Sequence, residues 1–209
     1  MNAEDEVALP DWLDVSRETH GRLCDLLALV AKWSPAINLV SRGSLRGAWS
    51  RHILDSAQLF DLGPRGAALW ADFGSGGGFP GLVLAAIAAE KAPAFRFVLV
   101  ESDRRKATFL EQASRTLGLS AQVICARTEL LGPLMADVVT ARALAPLAAL
   151  CGYANRHLKP EGRAIFPKGG GIDEELMQAA RFWRHDSETI QSRTDPAGSI
   201  LVLRNIRHA

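Results

Sequence analysis

The chain is poor in cysteine and has no long apolar run, and each absence argues against a class of protein. Its three cysteines, Cys24, Cys125 and Cys151, are far apart among 209 residues. This odd and scattered set argues against a disulfide framework or a zinc site, and we expect small buried side chains. No apolar stretch approaches the roughly 20 residues that cross a bilayer. The first six residues, MNAEDE, are acidic where a signal peptide is basic, which predicts a cytoplasmic protein without a membrane anchor.

An excess of one charge is also missing, because 24 lysines and arginines face 23 aspartates and glutamates. A net charge of +1 does not by itself indicate a nucleic-acid binder, so the distribution of charge matters more. The basic residues form three clusters: Arg42, Arg46, Arg51 and His52; Arg104, Arg105 and Lys106; and Arg204, Arg207 and His208. These clusters are consistent either with local contacts to phosphates or with solvated helix faces.

Strand and helix patterns alternate from residue 67 onward, which predicts an α/β fold. With 48% hydrophobic residues the chain can bury a full core. We predict a mostly parallel, doubly wound sheet of seven strands, with one antiparallel strand at its C-terminal edge. The predicted strands lie at 67–71, 95–100, 122–125, 137–140, 163–166, 188–190 and 200–203, and the helices at 82–89, 103–117, 145–157 and 172–184. The last two strands are expected to pair as a hairpin.

The residues before 67 have a different, helical pattern. Apolar spacing predicts one helix over 16–33, which Pro35 should end, and a second over 52–62. We expect these helices to cap the sheet, so that 1–209 is one domain with a helical extension (1–66) and an α/β core (67–209).

The most informative segment is ADFGSGGGFPG at 71–81, where a buried strand ends in Asp72 and a glycine-dense turn leads into a helix. We call residues 74–81 the glycine turn. Its glycines allow positive φ and a close approach of a ligand, and its backbone N–H groups are expected to face that ligand. Pro80 suits the start of the following helix, near Phe79 or Pro80 itself.

The spacing of the glycine turn fits two cofactors. Gly76, Gly78 and Gly81 match the dinucleotide pattern, whereas Asp72, Gly74, Gly76 and Gly78 match the acid-x-G-x-G-x-G pattern of S-adenosylmethionine-dependent methyltransferases. Charge favours the methyl donor, because a carboxylate at Asp72 would repel a pyrophosphate but attract a cationic amino group and a sulfonium.

A second acid follows the next predicted strand. Glu101 stands about 20 residues beyond the glycine turn, where an acid can accept hydrogen bonds from ribose hydroxyls. The alternative role is an acid at a helix N-terminus, although Asp103 suits the helix cap better.

Five segments together resemble the bacterial small-subunit ribosomal RNA guanine-N7 methyltransferase family, also called the glucose-inhibited division protein B family. They are INLVS at 37–41, RHILDS at 51–56, DFGSGGGFPG at 72–81, ARA at 141–143 and PKG at 167–169. The resemblance covers nearly the whole chain in the family's order. It implies a Rossmann-like class I methyltransferase fold, S-adenosylmethionine as donor, and the guanine at position 527, in the 530 loop of 16S ribosomal RNA, as acceptor. The implied partner is 16S RNA or the small ribosomal subunit, and we expect a monomer without a metal ion.

The same resemblance implies the site residues. The donor-binding positions are Gly74, Phe79, Thr128, Glu129 and Arg142, to which the local reasoning adds Asp72, Gly76, Gly78 and Glu101. Arg142 and Lys168 are the expected catalytic and acceptor-contacting residues, with Asn38, His52 and Asp55 on the acceptor side. An arginine at a strand end is costly to bury without an anionic partner, which favours a functional role for Arg142.

The expected chemistry needs no general base, because guanine N7 carries a lone pair and no proton. Catalysis would then rest on positioning and electrostatics. Two other functions remain open at this point: methylation of a small molecule on the same sheet, and dinucleotide binding without catalysis.

Overall fold

The computed structural model describes residues 9–41, 43 and 47–209. Arg42 and Arg46 of the first basic cluster lie outside the described residues. A seven-stranded sheet runs through the molecule in the order β3-β2-β1-β4-β5-β7-β6. Its strands are β1 (Leu69–Phe73), β2 (Arg96–Glu101), β3 (Ala121–Cys125), β4 (Ala136–Ala141), β5 (Leu158–Lys168), β6 (Trp183–Gln191) and β7 (Ser199–His208).

The strand pairing confirms the predicted sheet. β1 pairs in parallel with β2 and β4, β2 with β3, and β4 with β5. β7 runs antiparallel to both β5 and β6, so the C-terminal strands form the expected hairpin and the antiparallel addition to the sheet. The carboxyl ends of β1, β2 and β4 therefore meet at one edge, which is where open α/β sheets bind ligands.

Among the described residues, six α-helices accompany the sheet: α1 (Arg17–Ile37), α2 (Asp55–Ala57), α3 (Gly81–Lys91), α4 (Arg104–Thr116), α5 (Leu147–His157) and α6 (Ile172–Ala179). Successive side chains of β1 lie on opposite faces of the sheet. Trp70 belongs to the apolar cluster on one face and Phe73 to the apolar cluster on the other. The first cluster is shared with α1, α3 and α4, and the second with α5 and α6. The N-terminal helices thus share a core with the sheet.

α1 is longer than predicted, because Pro35 lies inside it and does not end it. A proline so near the end of a helix removes only its own N–H bond, and the turn is completed by Asn38 N–H donating to Ser34 O at 2.9 Å. Burial of Ile37 favours this last turn. The helix ends where Asn38 adopts the left-handed conformation (φ 51°).

Two other helix predictions are wrong in detail. The segment predicted as a helix over 52–62 is a π-helical turn (Trp49–Leu54), the short α2 and a 3₁₀ turn (Phe60–Leu62). The last predicted helix stops at Ala179 because Trp183 is buried as the first residue of β6, stacked 4.2 Å from the His208 ring.

Of the cysteines only Cys151 is buried, so the prediction of three buried thiols is wrong for Cys24 and Cys125.

Candidate active site

The glycine turn connects β1 to α3 and holds three glycines at positive φ: Gly74 (66°), Gly76 (51°) and Gly78 (88°). Other residues rarely adopt these angles, which explains the glycine density. A Cβ at Gly76 would have only Gly74 O nearby, at 3.7 Å, so the space beside Gly76 is open. The structure thus contains an open cradle at the position where the sequence pattern predicts a bound cofactor.

The N–H groups of this turn are mostly bonded within the protein. Gly74 N–H donates to Val100 O at 2.8 Å, Gly78 N–H to Ser75 O at 2.7 Å, and Gly76 N–H to a Glu101 carboxylate oxygen at 2.9 Å. The expectation that these groups face a ligand is therefore wrong for these three positions. The glycine turn contributes space and shape more than hydrogen-bond donors.

Asp72 lies beneath the glycine turn and is fully buried. Its carboxylate accepts from the Thr140 hydroxyl at 2.7 Å and from Gly81 N–H at 3.2 Å, both neutral donors. Burial raises the pKa of Asp72 to about 6, against the opposing effect of these hydrogen bonds. Asp72 therefore holds the turn against α3 and β4 and places negative charge under the cradle, which suits a cationic ligand better than a pyrophosphate.

Glu101, at the carboxyl end of β2, connects the glycine turn to the start of α4. Its two carboxylate oxygens accept from Gly76 N–H and from Asp103 N–H, each at 2.9 Å. Each carboxylate oxygen can accept a further hydrogen bond, so these two bonds leave Glu101 able to contact a ribose. That contact stays a prediction. Asp103 caps α4 as predicted, accepting from Arg105 N–H at 2.8 Å.

Arg142 emerges from the end of β4 into a set of polar groups on the N-terminal helices. Its guanidinium donates to Arg51 O at 2.9 Å and to His52 Nδ1 at 2.9 Å, and lies 3.4 Å from Asp55 Oδ2. Its side chain retains about one fifth of its exposure. The anionic partner that such an arginine requires is thus supplied in part by Asp55.

His52 is held neutral between Arg142 and Phe79. Because an arginine only donates, His52 Nδ1 accepts and the ring proton is on Nε2. Burial and then the charges of Arg142 and Arg51 lower the pKa of His52 to about 4. The imidazole stacks on Phe79 with ring centroids 4.8 Å apart and planes at 16°. The structure thus brings Arg142, His52 and Phe79, three predicted site residues, into direct contact.

A cavity of about 1070 Å³ opens beside this cluster at the carboxyl edge of the sheet. We call it the edge pocket. Its lining comes from the N-terminal helices, the ends of β4 and β5, α6 and the β6–β7 loop. It includes Arg51, Asp55, Arg142, Leu144, Lys168, Glu175, Thr194 and Asp195. A Cβ on Gly74 would lie 2.7 Å from Leu144 Cδ1, so the glycine turn and the edge pocket adjoin at Leu144.

Lys168, at the end of β5, lines the edge pocket, and its contact with the acceptor stays a prediction. Its ammonium lies 2.6 Å from Glu175 Oε2, and the same oxygen accepts Leu147 N–H at 3.0 Å. Glu175, in the first half of α6, was not identified from the sequence. No motif marks it, because its relation to Lys168 depends on how α6 returns to the sheet.

Asp55 and Gln58 form hydrogen bonds to the β6–β7 loop, and of the two residues only Asp55 was identified from the sequence. Asp55 Oδ1 accepts from the Thr194 hydroxyl at 3.1 Å and from Gln58 Nε2 at 3.0 Å. Gln58, which is buried, also accepts Arg193 N–H at 2.8 Å. The β6–β7 loop is thereby attached to the N-terminal helices next to Arg142.

The remaining predicted residues lie around this centre without joining it. Thr128 and Glu129 occupy a 3₁₀ turn after β3, where Thr128 is buried and its carbonyl accepts from His157 Nε2 at 3.1 Å. Glu129 is exposed. Asn38 is also exposed, and its neighbour Leu39 would lie 3.7 Å from a Cβ on Gly77. Their roles in binding remain predictions.

The described residues of the first two basic clusters lie at the carboxyl edge of the sheet, and those of the third lie toward the opposite edge. Arg51 lines the edge pocket, and Arg104–Lys106 start α4 at the same carboxyl edge. Because β7 is antiparallel, Arg204–His208 run toward the opposite edge, and Arg204 is 3.8 Å from Glu188. The third cluster is therefore not part of the candidate site.

Within the described ranges, no group of three or more His, Cys, Asp and Glu side chains is placed to hold a metal ion. In the same part of the chain, no helix combines the length and the apolar character needed to cross a membrane.

Comparison with known proteins gives consistent results. The family model "GidB: rRNA small subunit methyltransferase G" matches residues 19–197. "Ribosomal RNA small subunit methyltransferase G" of Cereibacter sphaeroides is 52% identical over 205 residues, covering 98% of this chain and 99% of that protein. The protein of that name from Ruegeria pomeroyi is 50% identical over 194 residues, covering 93% and 95%. A TehB-like SAM-dependent methyltransferase from Corynebacterium glutamicum has a similar fold, with a TM-score of 0.57, 16% identity and coverage of 88% and 98%.

Proposed function

The chain belongs to the rRNA small subunit methyltransferase G family, and from this premise we propose that it methylates N7 of a guanine in 16S ribosomal RNA. It is an S-adenosylmethionine-dependent rRNA methyltransferase with the class I fold. The observation that carries the choice of a large acceptor is the contact between the two halves of the site. The glycine turn adjoins, at Leu144, a wide pocket that presents Arg51, Arg142 and Lys168.

The residues present fit the methyl donor. The open side of Gly76 gives it room, and the buried charge of Asp72 favours its cationic groups. We assign the ribose to Glu101 and the adenine to the turn that contains Thr128 and Glu129. Arg142, next to Phe79, is assigned to the border between donor and acceptor.

The reaction requires no proton transfer by the protein. When bound, S-adenosylmethionine supplies an electrophilic methyl group: a bond forms from N7, the C–S bond breaks, and its electron pair stays on sulfur. The positive charge moves from the sulfonium to the base. Consistent with this, the histidine of the cluster, His52, has its Nδ1 occupied by Arg142 and is not free to accept a proton. The protein's task is to orient the two reactants at contact distance.

We also propose that the protein acts as a cytoplasmic monomer on 16S RNA or the small subunit, with 1–209 as one methyltransferase domain. The apolar cluster that α1 shares with α3 and α4 supports treating the N-terminal helices (1–66) as an extension of the 67–209 core.

The test is methyl transfer from labelled S-adenosylmethionine to 16S RNA and to small subunits from cells that lack the gene. We expect one label per RNA, mapped by mass spectrometry of RNA fragments to N7 of a guanine. Label in a metabolite pool and none in RNA would favour the small-molecule alternative. Tight NAD binding without S-adenosylmethionine binding would contradict the donor assignment.

A further inference from the structure

We propose that Lys168 and Glu175 together read the Watson–Crick edge of the acceptor guanine. Lys168 donates to O6, and the free oxygen of Glu175 accepts from N1–H. This inference rests on the proposed function, since it names the specificity residues for the same acceptor.

The pair is fixed in a way that leaves one donor and one acceptor available. Glu175 Oε2 is held by Lys168 Nζ at 2.6 Å and by Leu147 N–H at 3.0 Å. Glu175 Oε1 has no hydrogen-bond partner among the residues that the structure describes, and the side chain keeps about a third of its exposure in the edge pocket. The ammonium of Lys168 has three hydrogens, of which Glu175 uses one.

The chemistry of N7 methylation fixes which way the base must face. N7 has to point toward the methyl donor, and O6 is the polar atom next to N7 on the guanine ring. N1–H follows O6 along the edge. A reader must therefore present a donor to O6 and an acceptor to N1–H, and the Lys168–Glu175 pair holds one of each side by side, with Nζ 2.6 Å from Oε2.

Adenine presents the opposite pattern, an amino group where guanine has O6 and an unprotonated N1 where guanine has N1–H. In the same orientation, Lys168 would face a donor and Glu175 would face a lone pair. Charged side chains that pair well with a base edge typically discriminate strongly against the wrong base. The edge pocket thus contains a physical basis for choosing guanine.

Glu175 also suits the change of charge during the reaction. Methylation at N7 makes the ring cationic and makes N1–H a stronger hydrogen-bond donor. A carboxylate at N1–H therefore binds the transition state more strongly than the ground state, and only such interactions accelerate the chemical step.

The experiment uses Glu175→Gln with 16S RNA assembled to carry guanine, inosine or 2-aminopurine at the methylated position. The amide oxygen can keep the bonds of Oε2, while the free position changes from an acceptor to an NH₂ donor. Inosine retains O6 and N1–H, whereas 2-aminopurine lacks both and retains N7. The matched control is Glu174→Gln, on the same helix, because Glu174 is exposed and contacts Gln178.

For the parent protein we expect inosine to be methylated nearly as well as guanine, and 2-aminopurine about 10- to 100-fold less well in kcat/KM. Glu175→Gln should lower kcat/KM for guanine and inosine by a similar factor and lower it much less for 2-aminopurine. Donor affinity, measured by calorimetry, and the activity of Glu174→Gln should not change.

Two results would overturn the inference while leaving the proposed function intact. One is an equal loss for all three bases in Glu175→Gln, which would make Glu175 a structural residue. The other is equal methylation of guanine and 2-aminopurine by the parent protein, a measurement that needs no variant. Failure of the parent protein to methylate any guanine N7 would instead refute the proposed function, and this inference with it.

Discussion

Substitution of Gly76 separates the cost of a strained backbone from the loss of the donor site. The residue has φ of 51°, and a Cβ there would have no protein atom closer than 3.7 Å. The penalty for alanine is therefore that of the left-handed conformation, about 1–2 kcal/mol in the free energy of unfolding. For a chain of this length that corresponds to a fall in melting temperature of roughly 2–8 °C.

Donor binding should suffer more than stability in Gly76→Val, because the side chain would occupy the open cradle. Overpacking of about 1–3 kcal/mol raises the dissociation constant by roughly 5- to 150-fold. Calorimetric titration with S-adenosylmethionine measures this change, and thermal unfolding measures stability in the same samples.

The matched control is Gly118, which follows α4, has φ of 64° and would likewise meet nothing within 4 Å. Gly118→Ala and Gly118→Val should be destabilised to the same extent as the Gly76 variants and bind the donor normally. If Gly76→Val bound the donor with unchanged affinity, the assignment of the cradle would be refuted.

Three further experiments test the neighbouring groups. Arg142→Ala should lower the free energy of unfolding by about 1–3 kcal/mol, measured by urea denaturation, and should reduce the rate of methyl transfer. Arg142→Lys should not restore that rate, because an ammonium cannot replace the two guanidinium nitrogens that donate hydrogen bonds here. Between pH 4 and 6 the folded state binds fewer protons at His52 (pKa about 4) and more at Asp72 (pKa about 6) than the unfolded chain. In the parent, His52 therefore makes the free energy of unfolding rise with pH over this range, and Asp72 makes it fall. Compared with the parent, the free energy of unfolding from such curves should fall with rising pH in His52→Gln and rise with pH in Asp72→Asn. Thr140→Val should cost roughly 2–4 kcal/mol in urea denaturation, because it leaves a buried Asp72 oxygen and Trp70 Nε1 without partners; an unchanged midpoint would contradict that account.

Much of the sheet could be predicted from the sequence because local signals determine it. Largely apolar runs of four to six residues indicated the parallel strands, and the glycine turn located the edge of the sheet where the site lies. The antiparallel hairpin also followed from local turn residues at 195–198. Asp103 was predictable as a cap because its bonds reach only two and three residues along the chain.

The departures arise where distant contacts outweigh local preference. Pro35 does not end α1 because Ile37 is buried in the shared core. The turn at Trp49–Leu54 is π-helical, and in it the backbone carbonyl of Arg51 accepts a hydrogen bond from Arg142, about 90 residues away in sequence. No pattern over a short window contains such a partner. The relation of Glu175 to Lys168 was missed for a different reason: the two residues are only seven positions apart, but their contact depends on how α6 returns to the end of β5.

Asp55 gives a physical reason for the presence of the N-terminal helices in a methyltransferase of this kind. A glycine turn with Asp72 and Glu101 can be formed without the N-terminal helices, since its bonds stay within β1, β2, β4 and the starts of α3 and α4. The wall beside it cannot, because Arg142 from β4 and Thr194 from the β6–β7 loop converge on the two oxygens of Asp55. Without that carboxylate the guanidinium would lose the ion pair that it forms among the described residues. The donor half of the site thus belongs to the sheet, whereas the acceptor half depends on a side chain that the helical extension supplies.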